Sequence, residues 1–151
     1  MESKNLLIGR EVLLVEKNPD LLDTMEEWLD MCLIHKANDC DSAMQYLLGY
    51  TYDFVVLGME GRDLRELLEI CVMRKFPTVV LVPSSIPPEA LKTYTNLETL
   101  YFHPKEKVTE ISGFLEDILL SFRIPGWRRV LERVGMRLLR CITPHHKSAM
   151  I

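Results

Sequence analysis

Long apolar runs are missing from this 151-residue chain. No stretch approaches the roughly 20 consecutive apolar residues that a membrane-crossing helix requires. The opening residues Met1-Glu2-Ser3-Lys4-Asn5 lack the basic-then-apolar build of a secretory signal, so the chain reads as cytoplasmic. Cysteine is scarce and scattered. Cys32, Cys40, Cys71 and Cys141 make neither a CxxC metal knuckle nor a disulfide framework, which leaves reduced and mostly buried thiols. Only seven glycines occur, and none belongs to a glycine-rich phosphate loop; the turn after the first apolar strand is Glu16-Lys17-Asn18-Pro19. Internal repeats and low-complexity segments are also lacking.

What the chain does have is apolar mass, 48% of its residues, enough for one domain with a real core. Its net charge of −4 is unevenly spread. Residues 1–120 carry 11 Lys and Arg against 21 Asp and Glu, whereas residues 121–151 carry 7 against 1. The C-terminal stretch is therefore a different electrostatic object from the acidic body.

The stretch Asp53-Phe54-Val55-Val56-Leu57-Gly58 organises the rest. Four consecutive large apolar residues, two of them β-branched, read as a strand buried on both faces in the middle of a parallel sheet. Further strands are predicted at 11–15, 33–37, 78–82 and 99–102. Asn18 and Pro19 open a helix carrying Leu21, Leu22, Met25, Trp28, Leu29 and Cys32 at helical spacing. Asp39 or Asp41 caps a second helix ending at Gly49, and a third runs over about 62–74 on Leu64, Leu67, Leu68, Cys71 and Val72. A short helix is expected near 89–94 and a longer one over 108–122. Alternation of strands and helices at this spacing implies an open, doubly wound parallel sheet. Ile124-Pro125-Gly126 marks a boundary, with a further helix predicted from Trp127 to about Ile142.

In element order and local spacing the chain resembles the receiver domain of two-component response regulators over about 10–122. The residues that carry the likeness are Val12 to Pro19, the Ala37 to Leu48 stretch with Ala43, the strand Asp53 to Leu57, the segment Pro77 to Val82, and His103-Pro104. The resemblance implies a CheY-like, flavodoxin-like fold of five parallel strands in the order 2-1-3-4-5. Here an N-terminal segment, 1–9, precedes the domain, and a basic C-terminal helix and tail, 123–151, follow it.

The resemblance also implies a site of fixed chemistry. An acidic pair after the first strand holds Mg²⁺, an aspartate after the third accepts a phosphoryl group, a Ser or Thr follows the fourth, and a lysine precedes the proline after the fifth. Metal and lysine neutralise the phosphoryl oxygens during transfer. On this chain those positions fall at Glu16 and Lys17, Gly58, Val82 and His103. Only Glu16 suits its role, because glycine has no side chain to phosphorylate and a charged lysine offers a metal no lone pair. The switch aromatic falls at Leu100, beside Tyr101, and the segment from Gly58 to the helix at Arg62 is shorter than the family's. The expectation is a pseudo-receiver that is not an enzyme, binds no metal or cofactor and acts by protein–protein contact. Glu16 is expected to make a polar contact with Lys17 or His103, and Lys17 to pair with Glu16 or Glu60.

The family's contact face, formed by the helix near 89–94, the fifth strand and the helix after it, places Leu91, Tyr94 and Tyr101 at the interaction surface. Trp127 joins them from the C-terminal helix, where Val130, Leu131, Val134 and Leu138 form an apolar stripe amid Arg128, Arg129, Arg133, Arg137 and Arg140. That helix is expected to dock on the acidic body or to pair with its twin in a homodimer. Two alternatives from other classes are weighed. One is a small ligand-binding or enzymatic flavodoxin-like domain using Glu16, Ser84 and His103. The other is a nucleic-acid or membrane module through the arginine helix, against which stands the want of a second helix to seat it in a groove. Cys32, His35 and Cys40 have the residue types of a zinc site but no fourth ligand, and His145-His146 reads as tail. With Thr143-Pro144-His145-His146-Lys147 so near the last residue, no separate output domain is expected.

Overall fold

The computed structural model describes residues 6–83 and 99–123. Within them, five strands form one parallel sheet: β1 (Glu11–Val15), β2 (Leu33–Ala37), β3 (Phe54–Leu57), β4 (Thr78–Val82) and β5 (Leu100–Pro104). Their order is β2-β1-β3-β4-β5, which is that of the flavodoxin-like receiver fold. The helices are α1 (Pro19–Trp28), α2 (Cys40–Gly49), α3 (Gly61–Arg74) and α4 (Ile111–Arg123), and a 3-10 segment, Lys105–Glu110, leads into α4. The expected helix near 89–94 and the one beyond Gly126 lie outside the described residues.

The strands divide their side chains by parity. Val12, Leu14, Phe54, Val56, Val79 and Leu81 meet Leu22 and Met25 of α1 and Ile111, Leu115 and Ile118 of α4. Leu13, Val15, Val55, Leu57, Val80 and Val82 meet Ala43 and Leu47 of α2 and Leu67 and Cys71 of α3 on the other face. All four β3 residues are fully buried, as a central strand with helices on both sides requires, whereas edge strand β2 buries fully only Ala37. Leu7 is also fully buried, in the α1/α4 layer, so the domain's packing begins ahead of Arg10.

Local chemistry sets the helix ends. Asn18 Oδ1 accepts the Asp20 amide at 2.9 Å with Pro19 in the first turn, and Asp39, not Asp41, caps α2 by accepting the Ser42 amide at 2.7 Å. α3 ends on Lys75 at φ 62°, a left-handed conformation that crowds a Cβ. Lys75→Gly is therefore expected to raise stability by about 0.5–1 kcal/mol, read as a higher urea midpoint at unchanged m-value.

Three boundaries depart from the sequence reading. Helix α1 stops at Trp28, and Leu29 leaves helical geometry at φ −119°, ψ 35°. Leu29 and Cys32 still reach the core, but Trp28 turns outward and is 44% exposed. Val72, taken for part of the α3 stripe, is likewise exposed. The last helix begins at Ile111 rather than Val108, because Lys107 (φ −110°, ψ 33°) interrupts regular winding. Strand β5 runs two residues further than 102, through His103 to Pro104, which pairs with Val82. Proline is tolerated there because β5 is an edge strand among the described residues, with no outer neighbour among them for the missing N–H.

Candidate functional site

The carboxyl ends of β1, β3 and β5 open on one crevice. Gly58, just past β3, donates its amide to Val15 O at 2.6 Å, which draws its backbone tightly against β1. The next residue of β1, Glu16, donates its own amide to Ala37 O at 3.0 Å and is 3% exposed. Its side chain lies over Gly58. A Cβ built on Gly58 would fall on Glu16 Oε1, 3.0 Å from Glu16 Cδ and 3.1 Å from Val15 O. Glycine at 58 is thus required by a close approach and not by unusual dihedral angles. The space a side chain at 58 would need is filled by a carboxylate from the neighbouring strand.

That buried carboxylate has two partners. Glu16 Oε2 accepts the Asn18 amide at 3.0 Å, and Lys105 Nζ stands 3.3 Å from Oε1. Lys105 Nζ also reaches Gly58 O at 3.5 Å, near the limit for a hydrogen bond. The Lys105 side chain is 24% exposed against 4% for Glu16, so the ammonium sits at the rim and the carboxylate beneath it. A cation from just past β5 therefore tethers the ends of β1 and β3.

Lys105 is the residue the sequence reading missed. The expected contacts of Glu16 with Lys17 or His103 are replaced by the pair with Lys105. The expected pairing of Lys17 with Glu16 or Glu60 is also incorrect: its side chain is 70% exposed and its partner is Asp63 of α3, at 3.9 Å. The cause is geometric. The side chains of Glu16 and Lys17 leave the chain in different directions as it passes from β1 into the Asn18 turn, and only the first enters the crevice. Val82 is buried in the α2/α3-side core and brings no hydroxyl; Ser84 lies outside the described residues.

His103 belongs to the opposite face of the sheet. Its ring packs against Phe114 of α4 at 4.8 Å between centroids, and its Nε2 bonds Lys107 O at 2.8 Å. The trio of Glu16, Ser84 and His103 weighed as a ligand site is thus not brought together by the described residues. Burial lowers the His103 pKa below 6.5, outweighing the Lys107 carbonyl, which acts to raise it. The unfolded chain then takes up a proton before the folded one, so stability is full above pH 6.5 and falls as pH drops through the folded value. His103→Phe is expected to flatten the decline in melting temperature between pH 6.5 and 5.5 relative to the parent chain.

Cys32, His35 and Cys40 are not assembled. Cys32 Sγ donates to Leu7 O at 3.5 Å in the α1-side core, where burial pushes its thiol up to about 11. His35 stacks on Tyr46 and bonds Tyr52 at 2.7 Å. Cys40 instead neighbours Asp63 and Glu66, whose ligand atoms lie within 4.8 Å of one another and of its Sγ. Both carboxylates are engaged, Asp63 by Lys17 and Glu66 by Arg62 at 3.3 Å. Of the expected contact residues, Tyr101 is half-buried against the α1/α4-side core, which pushes its hydroxyl up to about 12. Leu91, Tyr94, Trp127, Arg128, Arg133 and Arg137 lie outside the described residues.

No protein-family model matches this sequence, and a search of curated proteins gives no match. Solved structures do match in fold. Two solved structures of the Salmonella typhimurium response regulator RcsB, described in terms of conformational dynamism for DNA interaction, superpose with TM-scores of 0.64 and 0.60. Each is 14% identical in sequence and covers 85% of this chain, which spans 69% and 68% of theirs. The likeness is one of fold.

Proposed function

We propose that this chain is a receiver-like signalling module of a two-component or phosphorelay type, working in the cytoplasm by protein–protein contact and without phosphoryl transfer. The observation that carries the reading is the Glu16 carboxylate lying where a side chain on Gly58 would stand. A phosphoryl acceptor at the end of β3 has neither a side chain nor the room for one. The remaining chemistry points the same way. Lys105, a cation suited to neutralising phosphoryl oxygens, is engaged by Glu16, and Lys17 stands beside Glu16 in place of a second metal-binding acid.

With the acceptor lost, the crevice becomes a fixed tie between strands, and the working property is the shape of the surface around it. The partner is a signalling protein or a second copy of this chain, met through the face that includes Tyr101. Incubating the full chain with acetyl phosphate and Mg²⁺ tests the reading. The expected result is no acid-labile phosphoryl group by intact mass under conditions that phosphorylate a competent receiver. A phosphoryl group mapped to any carboxylate of the crevice would overturn it.

A further inference from the structure

The ring of His103 is fixed in one tautomer. Its Nε2 lies 2.8 Å from Lys107 O, and a carbonyl oxygen can only accept, so Nε2 carries the proton and Nδ1 is left as a bare lone pair. Nδ1 is closed off from solvent and has no hydrogen-bond partner. The residue as a whole is 4% exposed, with Phe114 of α4 against its ring and Leu81 of β4 beside it in register. The charged groups that act on the ring are Glu110 and Lys107, both of the 3-10 segment that it holds. A second proton could enter only at Nδ1, where no acceptor stands among the described residues. A buried donor without an acceptor is costly, and a buried charge more so. The neutral ring therefore fits this place and the imidazolium does not.

What the ring holds is loosely wound. Lys105–Glu110 is a 3-10 segment, with poorer hydrogen-bond geometry than an α-helix, and Lys107 breaks even that winding at φ −110°, ψ 33°. Among its ties to the body are Lys105 to Glu16, His103 through the Lys107 carbonyl, and Val108 in the α1/α4-side core. The first of these closes the crevice. The second is made only two residues further on, so it governs how firmly Lys105 is presented to Glu16.

We infer that His103 is a proton-operated latch on the crevice: taking up a proton drives its ring from the core, frees Lys105–Glu110 and loosens the hold of Lys105 on Glu16 while the sheet stays folded. Back in water the ring takes its proton at its ordinary value of 6.5, whereas burial holds the docked ring below that value, against the Lys107 carbonyl and Glu110, which act to raise it. Opening is thus least favoured above pH 6.5 and grows easier as pH falls toward the docked value. The latch draws on neither Gly58 nor a phosphoryl group, so it holds whichever way the acetyl phosphate experiment turns out.

Hydrogen exchange on the full chain, read on peptic peptides at pH 7.0 and 5.5 and corrected for the intrinsic pH dependence of amide exchange, tests the latch. Protection over 105–110 is expected to fall about fivefold in the parent chain between the two values, while β1, β3 and β4 keep theirs. His103→Gln retains an N–H for Lys107 O but cannot titrate, and its protection over 105–110 is expected to be the same at both pH values. His35, on the other face of the sheet, and every other titrating group are present in both chains and cancel in the comparison. His103→Phe keeps an apolar ring against Phe114 and gives up the bond; it is expected to be less protected than the parent at pH 7.0 and equally indifferent to pH, so either variant reads the latch if the other fails to fold. Protection over 105–110 that is unchanged in the parent chain, lost to the same degree in the variants, or lost together with that of the strands would overturn the inference.

Discussion

Gly58→Asp, the substitution that would give β3 the acidic residue its fold relatives are expected to carry, is expected to lower stability by about 3 kcal/mol at pH 7 and to confer no phosphorylation. The new Cβ falls on Glu16 Oε1, and Glu16 cannot simply swing aside, because it is held by the Asn18 amide on one oxygen and by Lys105 on the other. The introduced carboxylate would also share one lysine with a second buried carboxylate. Both penalties have the same origin, so removing Glu16 is expected to relieve them together. Gly58→Asp/Glu16→Ala should regain about 2 kcal/mol of the loss in urea unfolding, a non-additivity that residues far apart do not show. Should Gly58→Asp prove as stable as the parent chain, or the double variant no better than the sum of its parts, Glu16 is not the occupant of that space.

The fold was legible because the sequence states it redundantly. Phe54 to Leu57 have no polar member and so demand cover on both faces, while Asn18-Pro19 and Asp39 set helix starts by local chemistry that tertiary context does not override. Trp28 misled because helical spacing continues in the sequence after the backbone has left the helix. At the site, the poor fit of Gly58, Lys17 and Val82 to a phosphate-handling crevice could be read position by position. The replacement arrangement could not. Proximity to Pro104 drew the lysine role to His103, but β5 extends through Pro104 and turns His103 toward Phe114, leaving Lys105 to reach the crevice. The signal was present, a lysine directly after the proline, but its use depends on where the strand stops. Nor could the sequence show that Gly58 and Glu16 are complementary, since 42 residues separate them and only the β1–β3 register brings them together.

Lys105→Met carries the other large effect. A buried ion pair broken from one side leaves an uncompensated charge, which typically costs 3–5 kcal/mol. Here the ammonium is a quarter exposed and the Asn18 amide still serves Glu16, so about 2–3 kcal/mol is expected. Glu16→Gln should cost less, about 1 kcal/mol, because the lysine left behind at the rim can turn to water. In Glu16→Gln/Lys105→Met no buried charge is stranded, and the double variant is expected to be at least 1 kcal/mol more stable than the two single losses summed would make it. Lys105 is also the first residue of the 3-10 segment that carries the chain from β5 to α4. Releasing it should therefore speed amide exchange over 105–110 ahead of β1, β3 and β4, whose hydrogen bonds lie within the sheet. If exchange instead rises uniformly, or the double variant shows no recovery, the lysine is a surface cation and the tie across β1, β3 and the end of β5 does not hold the crevice shut.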